Sequence, residues 1–188
     1  MRIVLLGPPG SGKGTQAALL RDRLDLAHIS TGALLRDAVE QQTELGQEAQ
    51  RYMDAGNLVP DGLMLGLIEE RLRQPDVANG FILDGYPRNL AQAEALDAVL
   101  NRIGQPVDVA VSVTVNEQEI VDRLSKRAVE EGRSDDTEDV IRNRLRVYAE
   151  QTAPVAGHYA TRGQLREIDG MGSVEDVQQR LLDALQAG

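Results

Sequence analysis

The stretch Ile3-Val-Leu-Leu-Gly-Pro-Pro-Gly-Ser-Gly-Lys-Gly-Thr15 decides the fold of this chain. Its first part, Ile3–Leu6, is apolar without polar alternation, which is typical of a strand buried on both faces. The following loop has the spacing Gly-x4-Gly-Lys and leads into a helical pattern beginning at Lys13. Between a strand and a helix, this spacing predicts a phosphate-binding loop, because backbone N–H groups and a helix N-terminus surround phosphate oxygens. The alternative is a glycine-rich turn without a ligand.

The residues around Lys13 narrow the class of nucleotide-binding protein. A standard phosphate loop has Ser or Thr directly after the lysine. Here Gly14 takes that position and Thr15 follows, which weakens the expectation that a hydroxyl binds Mg²⁺ directly. Guanine-reading GTPases need the pattern Asn/Thr-Lys-x-Asp, but the only other lysine, Lys126, precedes Arg127. The sequence therefore predicts a small kinase whose phosphate acceptor binds beside the loop.

Short apolar runs alternate with longer helical patterns along the chain. Predicted strands cover residues 3–6, 27–29, 81–83, 107–113 and 165–168, and predicted helices cover 13–24, 31–41, 61–73, 89–103, 116–129, 137–160 and 174–186. Strands separated by helices predict a doubly wound α/β fold with a parallel five-stranded sheet. The polar helical stretch 30–59 predicts a small lobe, and the charged stretch 126–136 predicts an interruption between two helices.

Composition excludes several other classes of function. The chain has 188 residues, a formal net charge of −10 and no cysteine, so disulfides, a thiol nucleophile and cysteine-bound zinc are excluded. The excess of acidic residues argues against nucleic-acid and anionic-membrane partners. No apolar run approaches the roughly 18–20 residues needed to cross a bilayer, and the N-terminus lacks a signal pattern. We therefore expect a soluble cytoplasmic protein.

Four motifs together resemble the adenylate kinase family in their order and spacing. They are GPPGSGKGTQ at 7–16, ISTGALLR at 29–36, GFILDGYPRN at 80–89 and GRSDD at 132–136, and the similarity includes AEQTAPV at 149–155 and the turn Asp169-Gly170. Because the stretch 126–136 is short and cysteine is absent, the chain is similar to the bacterial members of this family that have a short lid. The resemblance implies one P-loop kinase domain over 1–188, with a core (1–29, 60–125 and 137–188), an AMP-binding lobe (30–59) and a lid (126–136).

The resemblance also implies a reaction, its partners and its site residues. The reaction is MgATP + AMP ⇌ 2 ADP, with Mg²⁺ as cofactor, no zinc, and a monomeric enzyme. Implied catalytic residues are Lys13, Asp84, Arg88, Arg123, Arg127, Arg133 and Arg144, with Asp84 holding Mg²⁺ through water. Implied ATP-binding residues are Gly10, Ser11, Gly12, Lys13, Gly14, Thr15, Arg127 and Gly172. Implied AMP-binding residues are Thr31, Arg36, Asn57, Leu58, Val59, Gly85, Tyr86, Pro87, Arg88, Gln92, Arg133 and Arg144.

The chemistry of individual residues supports these roles, although alternatives stay open. Asp84 ends an apolar strand, where a carboxylate can hold Mg²⁺-bound water or cap the next helix. Arg88 follows just beyond the carboxyl end of the sheet, where a guanidinium suits a monophosphate. Thr31 could serve as a helix N-cap, and Arg142 and Arg146 fit i,i+4 pairing on an exposed helix.

Two rival functions and one departure from the family remain. Ala33 stands where the family usually has an acidic residue, so the resemblance implies no second carboxylate near Mg²⁺. A pyrimidine monophosphate kinase is the nearest rival, but Thr31 and Gln92 favour adenine. A nucleotide-sensing protein with a degenerate pocket is the rival of a different class. We expect His28 and His158 to be packing residues.

Overall fold

The computed structural model describes residues 1–186, without the side chain of Ser134. A five-stranded sheet forms its centre, with every pair of strands parallel and the order β2-β3-β1-β4-β5. The strands are β1 Arg2–Leu6, β2 Ala27–Ser30, β3 Phe81–Asp84, β4 Val109–Thr114 and β5 Leu165–Asp169. The α-helices are α1 Lys13–Leu24, α2 Thr31–Glu40, α3 Glu44–Asp54, α4 Asp61–Arg71, α5 Leu90–Arg102, α6 Glu117–Glu131, α7 Glu138–Val147, α8 Val155–Ala160 and α9 Val174–Gln186. The predicted fold class is confirmed.

Both faces of the sheet are buried, which explains why the strands are apolar throughout. On β1, Val4 and Leu6 contribute to the core on one face of the sheet, while Ile3 and Leu5 contribute to the core on the other. Helices α4, α5 and α8 cover the first face, and α1 and α9 cover the second. The central strand β1 lies between β3 and β4, so the loop after it opens where the chain direction around the sheet reverses.

The largest differences from the predicted boundaries occur at two places. The predicted helix over 137–160 is divided, because α7 ends at Val147, a π-helical turn follows over Tyr148–Thr152, and α8 begins after Pro154. Proline lacks the N–H that a continuous helix needs and restricts the residue before it. The predicted interruption over 126–136 was wrong for its first half. Helix α6 continues to Glu131 because this stretch is rich in helix-forming residues, and it ends at Gly132 with a left-handed φ of 61°.

Side chains cap the N-termini of several helices. Asn116 accepts a hydrogen bond from the backbone of Glu119, and Ser173 forms a reciprocal capping box with Asp176. Thr31 is not the N-cap of α2, because Ser30 accepts the hydrogen bond from the Ala33 backbone and Thr31 is already in the first turn. No described helix combines the length and apolarity needed to cross a membrane.

Candidate active site

A large cleft of about 1590 Å³ runs along the edge strand β2 and includes the phosphate loop and the carboxyl ends of β2 and β3. A smaller cavity adjoins it between α2, α3 and the start of α5. The predicted residues that line the cleft are Gly10, Gly12, Lys13, Gly14, Thr15, Arg36, Leu58, Asp84, Gly85, Pro87, Arg88, Arg123, Arg127, Arg133 and Arg144. Those that line the smaller cavity are Thr31, Arg36, Asn57, Leu58, Val59, Gly85, Arg88, Gln92 and Arg144. Residues that are far apart in sequence are thus brought to one edge.

Three residues predicted for the site are not among the described residues that line either cavity. Ser11 is buried beneath the loop and accepts a hydrogen bond from Lys13 Nζ at 3.2 Å. The Tyr86 side chain is only 1% exposed and packs in the core. Gly172 lies beside Asp176 in the turn after β5, and Val174 takes the position in the cleft lining instead. Sequence reasoning missed Val174 because its place depends on how α9 packs against α1.

The phosphate loop has a backbone that requires glycine. Gly10 and Gly12 have φ values of 80° and 89°, and a Cβ added at Gly10 would lie 2.9 Å from Leu124 Cγ. Gly12 is also the N-cap of α1, without a side-chain hydrogen bond. The first N–H groups of α1 are therefore available for an anionic ligand.

Lys13 is buried within this loop. Its Nζ donates hydrogen bonds to the carbonyls of Gly7 and Pro8, both at 2.8 Å. Burial lowers the pKa of Lys13 to about 8, with the nearby charges of Arg88, Arg144 and Arg127 acting in the same direction and Asp84 opposing them. The groups around Lys13 thus do not balance the positive charge of its ammonium group, and an anionic phosphate would do so.

Asp84 ends β3 at the floor of the cleft, next to a residue that we expected only to pack. His28 lines the cleft, and its Nε2 lies 3.5 Å from Asp84 Oδ2. Burial by itself would raise the pKa of Asp84, but the interaction with His28 and the charges of Lys13 and Arg88 outweigh it and hold the pKa below its usual value. The carboxylate is therefore ionised. The signal that would have revealed His28 is the pairing of β2 with β3, which sequence reasoning left unassigned.

The residues around Asp84 fit a magnesium ion that phosphates and water help to hold. An ionised carboxylate is the ligand type that Mg²⁺ prefers, and the Thr15 side chain also lies in the cleft lining. The described residues contain no group of three or more His, Cys, Asp or Glu side chains that could enclose a metal on their own. Such a site suits Mg²⁺, which usually keeps several waters and binds with its phosphate ligands.

Arg36, Arg88 and Arg144 all line the cleft that contains the phosphate loop. Arg88 donates from Nε to the Gly85 carbonyl at 2.7 Å, and burial together with the charge of Arg144 lowers its pKa to about 10. Burial also lowers the pKa of Arg36 and of Arg144, and neighbouring arginines add to the effect. Like charges gathered in a half-buried site favour an anionic ligand, and guanidinium groups suit a phosphate in particular.

Two aspartates on the short segment after α6 hold the side chains of Arg127 and Arg144. Arg127 makes a two-pronged pair with Asp136 at 2.6 and 2.7 Å, and Arg144 Nη1 reaches the same carboxylate at 2.7 Å. Asp135 accepts from Arg144 at 3.0 Å. Because the Asp136 side chain is fully buried, these pairs hold both guanidinium groups in place. Neither aspartate caps the next helix, because Thr137 is the N-cap of α7, where no side chain accepts a capping hydrogen bond.

The remaining arginines form two groups, of which one lines the cleft and the other lies on an exposed surface. Arg123 pairs with Glu119 at 2.7 Å and donates to the Gly170 carbonyl, while Arg133 pairs with Glu131 at 2.6 Å. Both line the cleft. Two others form i,i+4 pairs on an exposed surface, Arg142 with Glu138 and Arg146 with Glu150. His158, expected to pack, also contacts Asp97 at 2.7 Å.

The fold and the cleft define an α/β protein of the P-loop nucleotide-binding class. A family model described as adenylate kinase matches residues 5–164. The chain is 56% identical over 187 residues to an adenylate kinase of Stenotrophomonas maltophilia strain K279a, and the match covers 100% of both chains. It is 55% identical to one of Xanthomonas campestris pathovar campestris strain 8004, covering 98% and 99%, and 53% identical to one of Kocuria rhizophila, covering 98% of each. The chain belongs to the adenylate kinase family, whose members are nucleoside monophosphate kinases.

Proposed function

We propose that this chain transfers the terminal phosphoryl group of MgATP to AMP, giving two ADP in a reversible reaction. One observation carries the proposal: a buried lysine in a phosphate loop, an ionised aspartate and a set of inward-facing arginines share a single cleft. The phosphate loop supports the donor side. Arg36 and Arg88 both line the smaller cavity, and their positive charges support it as the site of the acceptor phosphate.

The donor and acceptor nucleotides would occupy different parts of the cleft. For ATP we assign Gly10, Ser11, Gly12, Lys13, Gly14, Thr15, Arg127 and Gly172, with Gly172 resting on family resemblance alone. For AMP we assign Thr31, Arg36, Asn57, Leu58, Val59, Gly85, Tyr86, Pro87, Arg88, Gln92, Arg133 and Arg144. The smaller cavity supports the base of AMP, because Leu35, Met53, Leu58, Val59 and Met64 line part of it and Gln92 supplies an amide.

Catalysis in this site rests on position and charge. The acceptor phosphate is already anionic near neutral pH, so the reaction needs no general base and no covalent nucleophile. Positively charged side chains would neutralise the phosphates while the phosphoryl group moves from donor to acceptor. These side chains belong to Lys13, Arg88, Arg123, Arg127, Arg133 and Arg144. Asp84 would hold Mg²⁺ through a water molecule. The bound ion supplies further neutralisation of the donor phosphates.

We assign the lobe 30–59 and the lid 126–136 to closure over the nucleotides, and residues 1–29, 60–125 and 137–188 to the core. Closure would exclude water, which could otherwise accept the phosphoryl group. One contact links the lobe to the core beside the lid: Asn143 on α7 donates to the Ala55 carbonyl at 2.7 Å and to Asn57 Oδ1 at 2.9 Å. We further propose a cytoplasmic monomer without zinc, and without nucleic-acid or membrane partners.

The test is an ADP-formation assay with ATP and each of AMP, CMP, UMP and GMP, with and without Mg²⁺. We expect AMP to be strongly preferred and Mg²⁺ to be required. Arg144→Ala should lower kcat/KM by about 100-fold or more, because it removes a charge from the phosphates. Arg142→Ala is the matched control on the same helix, since its side chain is 74% exposed, and it should leave the rate unchanged. A preference for a pyrimidine monophosphate, or ATP binding without ADP formation, would contradict the proposal.

A further inference from the structure

Asp61, the first residue of α4, contacts a residue that we assign to the AMP base. Its Oδ1 accepts a hydrogen bond from Gln92 Nε2 at 2.8 Å. The same oxygen accepts one from Asn89 Nδ2 at 2.9 Å. Asp61 itself is exposed, whereas Gln92 is only 2% exposed and lines the smaller cavity. None of the motifs found in the sequence includes Asp61.

A second contact acts on the other end of the Gln92 amide. Gln92 Oε1 accepts a hydrogen bond from the Arg88 backbone N–H at 2.7 Å. Because a carboxylate only accepts and a backbone N–H only donates, the two partners determine which end of the amide is oxygen and which is nitrogen. Rotating the amide by 180° would place oxygen against the Asp61 carboxylate and NH₂ against the Arg88 N–H. Both hydrogen bonds would be lost.

We propose that Asp61 is a positioning residue that sets base specificity by locking the Gln92 amide in one orientation. This inference rests on the proposed function, in which Gln92 meets the base of the acceptor nucleotide. A glutamine amide has two N–H groups and can accept two hydrogen bonds. Asp61 takes up one N–H of the amide, and the Arg88 backbone N–H takes up one lone pair of its oxygen. One N–H and one lone pair remain free for a ligand, and the amide cannot rotate to exchange their positions.

This fixed pattern distinguishes adenine from a base of the same shape. The Watson–Crick edge of adenine offers an acceptor at N1 and a donor at its amino group. Inosine monophosphate reverses both, because it has N1–H and a carbonyl oxygen at the corresponding positions. An amide free to rotate could serve either base, whereas a locked amide serves only one. A buried polar group left unpaired by the wrong base is the stronger source of discrimination.

Asp61 also contacts the N-cap of α5, which would give it a purely structural role. Asn89 is the N-cap of α5, and its Oδ1 accepts a hydrogen bond from the Gln92 backbone N–H at 2.8 Å. Asp61 could therefore act by supporting this cap. Asn89→Ser separates the two roles, because the serine hydroxyl can replace the capping amide oxygen of Asn89 while the amide donor to Asp61 is lost.

The experiment compares kcat/KM for AMP and for inosine monophosphate, with KM for ATP measured alongside. Asp61→Ala should raise KM for AMP about tenfold with kcat nearly unchanged, and should lower the ratio of kcat/KM for AMP over that for inosine monophosphate about tenfold. KM for ATP should not change. Asp61→Asn keeps an oxygen that accepts both hydrogen bonds, so its ratio should stay within about threefold of the original.

Controls make each outcome decisive. Asp183→Ala removes an exposed aspartate that also accepts from a glutamine amide, Gln179 at 2.8 Å on α9, and should leave the ratio unchanged. Asp61→Ser is a second deletion, with a side chain too short to reach the amide, for the case in which Asp61→Ala does not fold. An unchanged ratio in the folded deletion variant overturns the inference, as does a loss that Asn89→Ser alone reproduces. An original chain that does not prefer AMP over inosine monophosphate overturns the proposed function as well.

Discussion

Lys13 combines a buried position with few negative partners. Its hydrogen-bond acceptors are neutral groups, the carbonyls of Gly7 and Pro8 and the hydroxyl of Ser11. The pKa of a lysine falls when burial penalises its charged form, and here it falls to about 8 from an ordinary value of 10.5. A bound phosphate would reverse this effect, because a negative charge nearby favours the ammonium form.

This depressed pKa predicts a pH-dependent affinity for ATP. Below pH 8 the free protein already carries the charged Lys13, so binding requires no proton. Above pH 8 the free protein loses the proton and binding must restore it, so the Kd for ATP should rise by up to about tenfold per pH unit. Isothermal titration calorimetry between pH 7 and about 9.5 measures this change.

Lys13→Arg is the control for this prediction. A guanidinium stays charged throughout the range, so the variant's Kd should be flat above pH 8 even if it is weaker overall. The pH dependence of the free energy of unfolding gives an independent measurement of the same pKa shift. Since the unfolded chain keeps the lysine proton up to 10.5 and the folded chain only up to about 8, the free energy of unfolding of the original chain should rise with pH in that window relative to Lys13→Arg. A Kd that rises equally in both proteins would contradict the assignment.

The helical lobe depends on a close approach between two elements. In α3, Gly46 lies against α2, and a Cβ added there would be 2.0 Å from the Ala38 carbonyl oxygen. Thr43 caps α3 and also donates a hydrogen bond to that carbonyl. The two helices therefore cannot move apart to make room without breaking the hydrogen bond from Thr43 to the Ala38 carbonyl.

Gly46→Ala should therefore destabilise the lobe, at a cost of about 2 kcal/mol or more in the free energy of unfolding, because the added methyl overlaps backbone atoms. Because the lobe lines the acceptor cavity, KM for AMP should rise while KM for ATP changes little. Gly66→Ala is the matched control, since a Cβ at this exposed helical glycine meets no atom within 4 Å. It should stabilise α4 by about 0.5–1 kcal/mol through helix propensity. Urea unfolding and steady-state kinetics measure both; equal effects of the two variants would refute this account.

At the scale of the whole molecule, net charge and local charge have opposite signs. The chain carries −10 overall, yet the cleft contains Lys13 and a set of buried or half-buried arginines. Burial, with repulsion from neighbouring arginines added to it, lowers the pKa of Arg88 and of Arg144, which means that the folded protein holds these charges at an electrostatic cost. A small anion should relieve it by binding there.

Inorganic pyrophosphate should therefore stabilise the folded protein despite its negative net charge. At a concentration of about 100 times its Kd, a ligand adds about 2.7 kcal/mol to the free energy of unfolding, and thermal denaturation would show a rise of several degrees in Tm. Sodium chloride at the same ionic strength is the control for screening. Arg88→Ala should reduce the rise from pyrophosphate. If chloride and pyrophosphate raise the Tm equally, the effect is general and the cleft is not the site.

Local patterns in the sequence determined much of this protein. The apolar run before the phosphate loop, the spacing of Gly7, Gly12 and Lys13, and the cap signals at Asn116 and Ser173 each depend on residues close in sequence. Their physical causes, which are burial period, backbone conformation and side-chain capping, act over the same short range. The fold class and the phosphate loop were therefore predictable from these patterns, whereas most of the other site residues were implied only by resemblance to the family.

Tertiary structure alone decided the rest, because it depends on which elements become neighbours. The pairing of β2 with β3 places His28 beside Asp84, and the packing of α4 against α5 places Asp61 on Gln92. Burial of Lys13, with the pKa shift that follows, likewise requires charges from distant segments. Hydrogen bonding and electrostatics act through space, so the sequence shows which groups are available but not which of them meet.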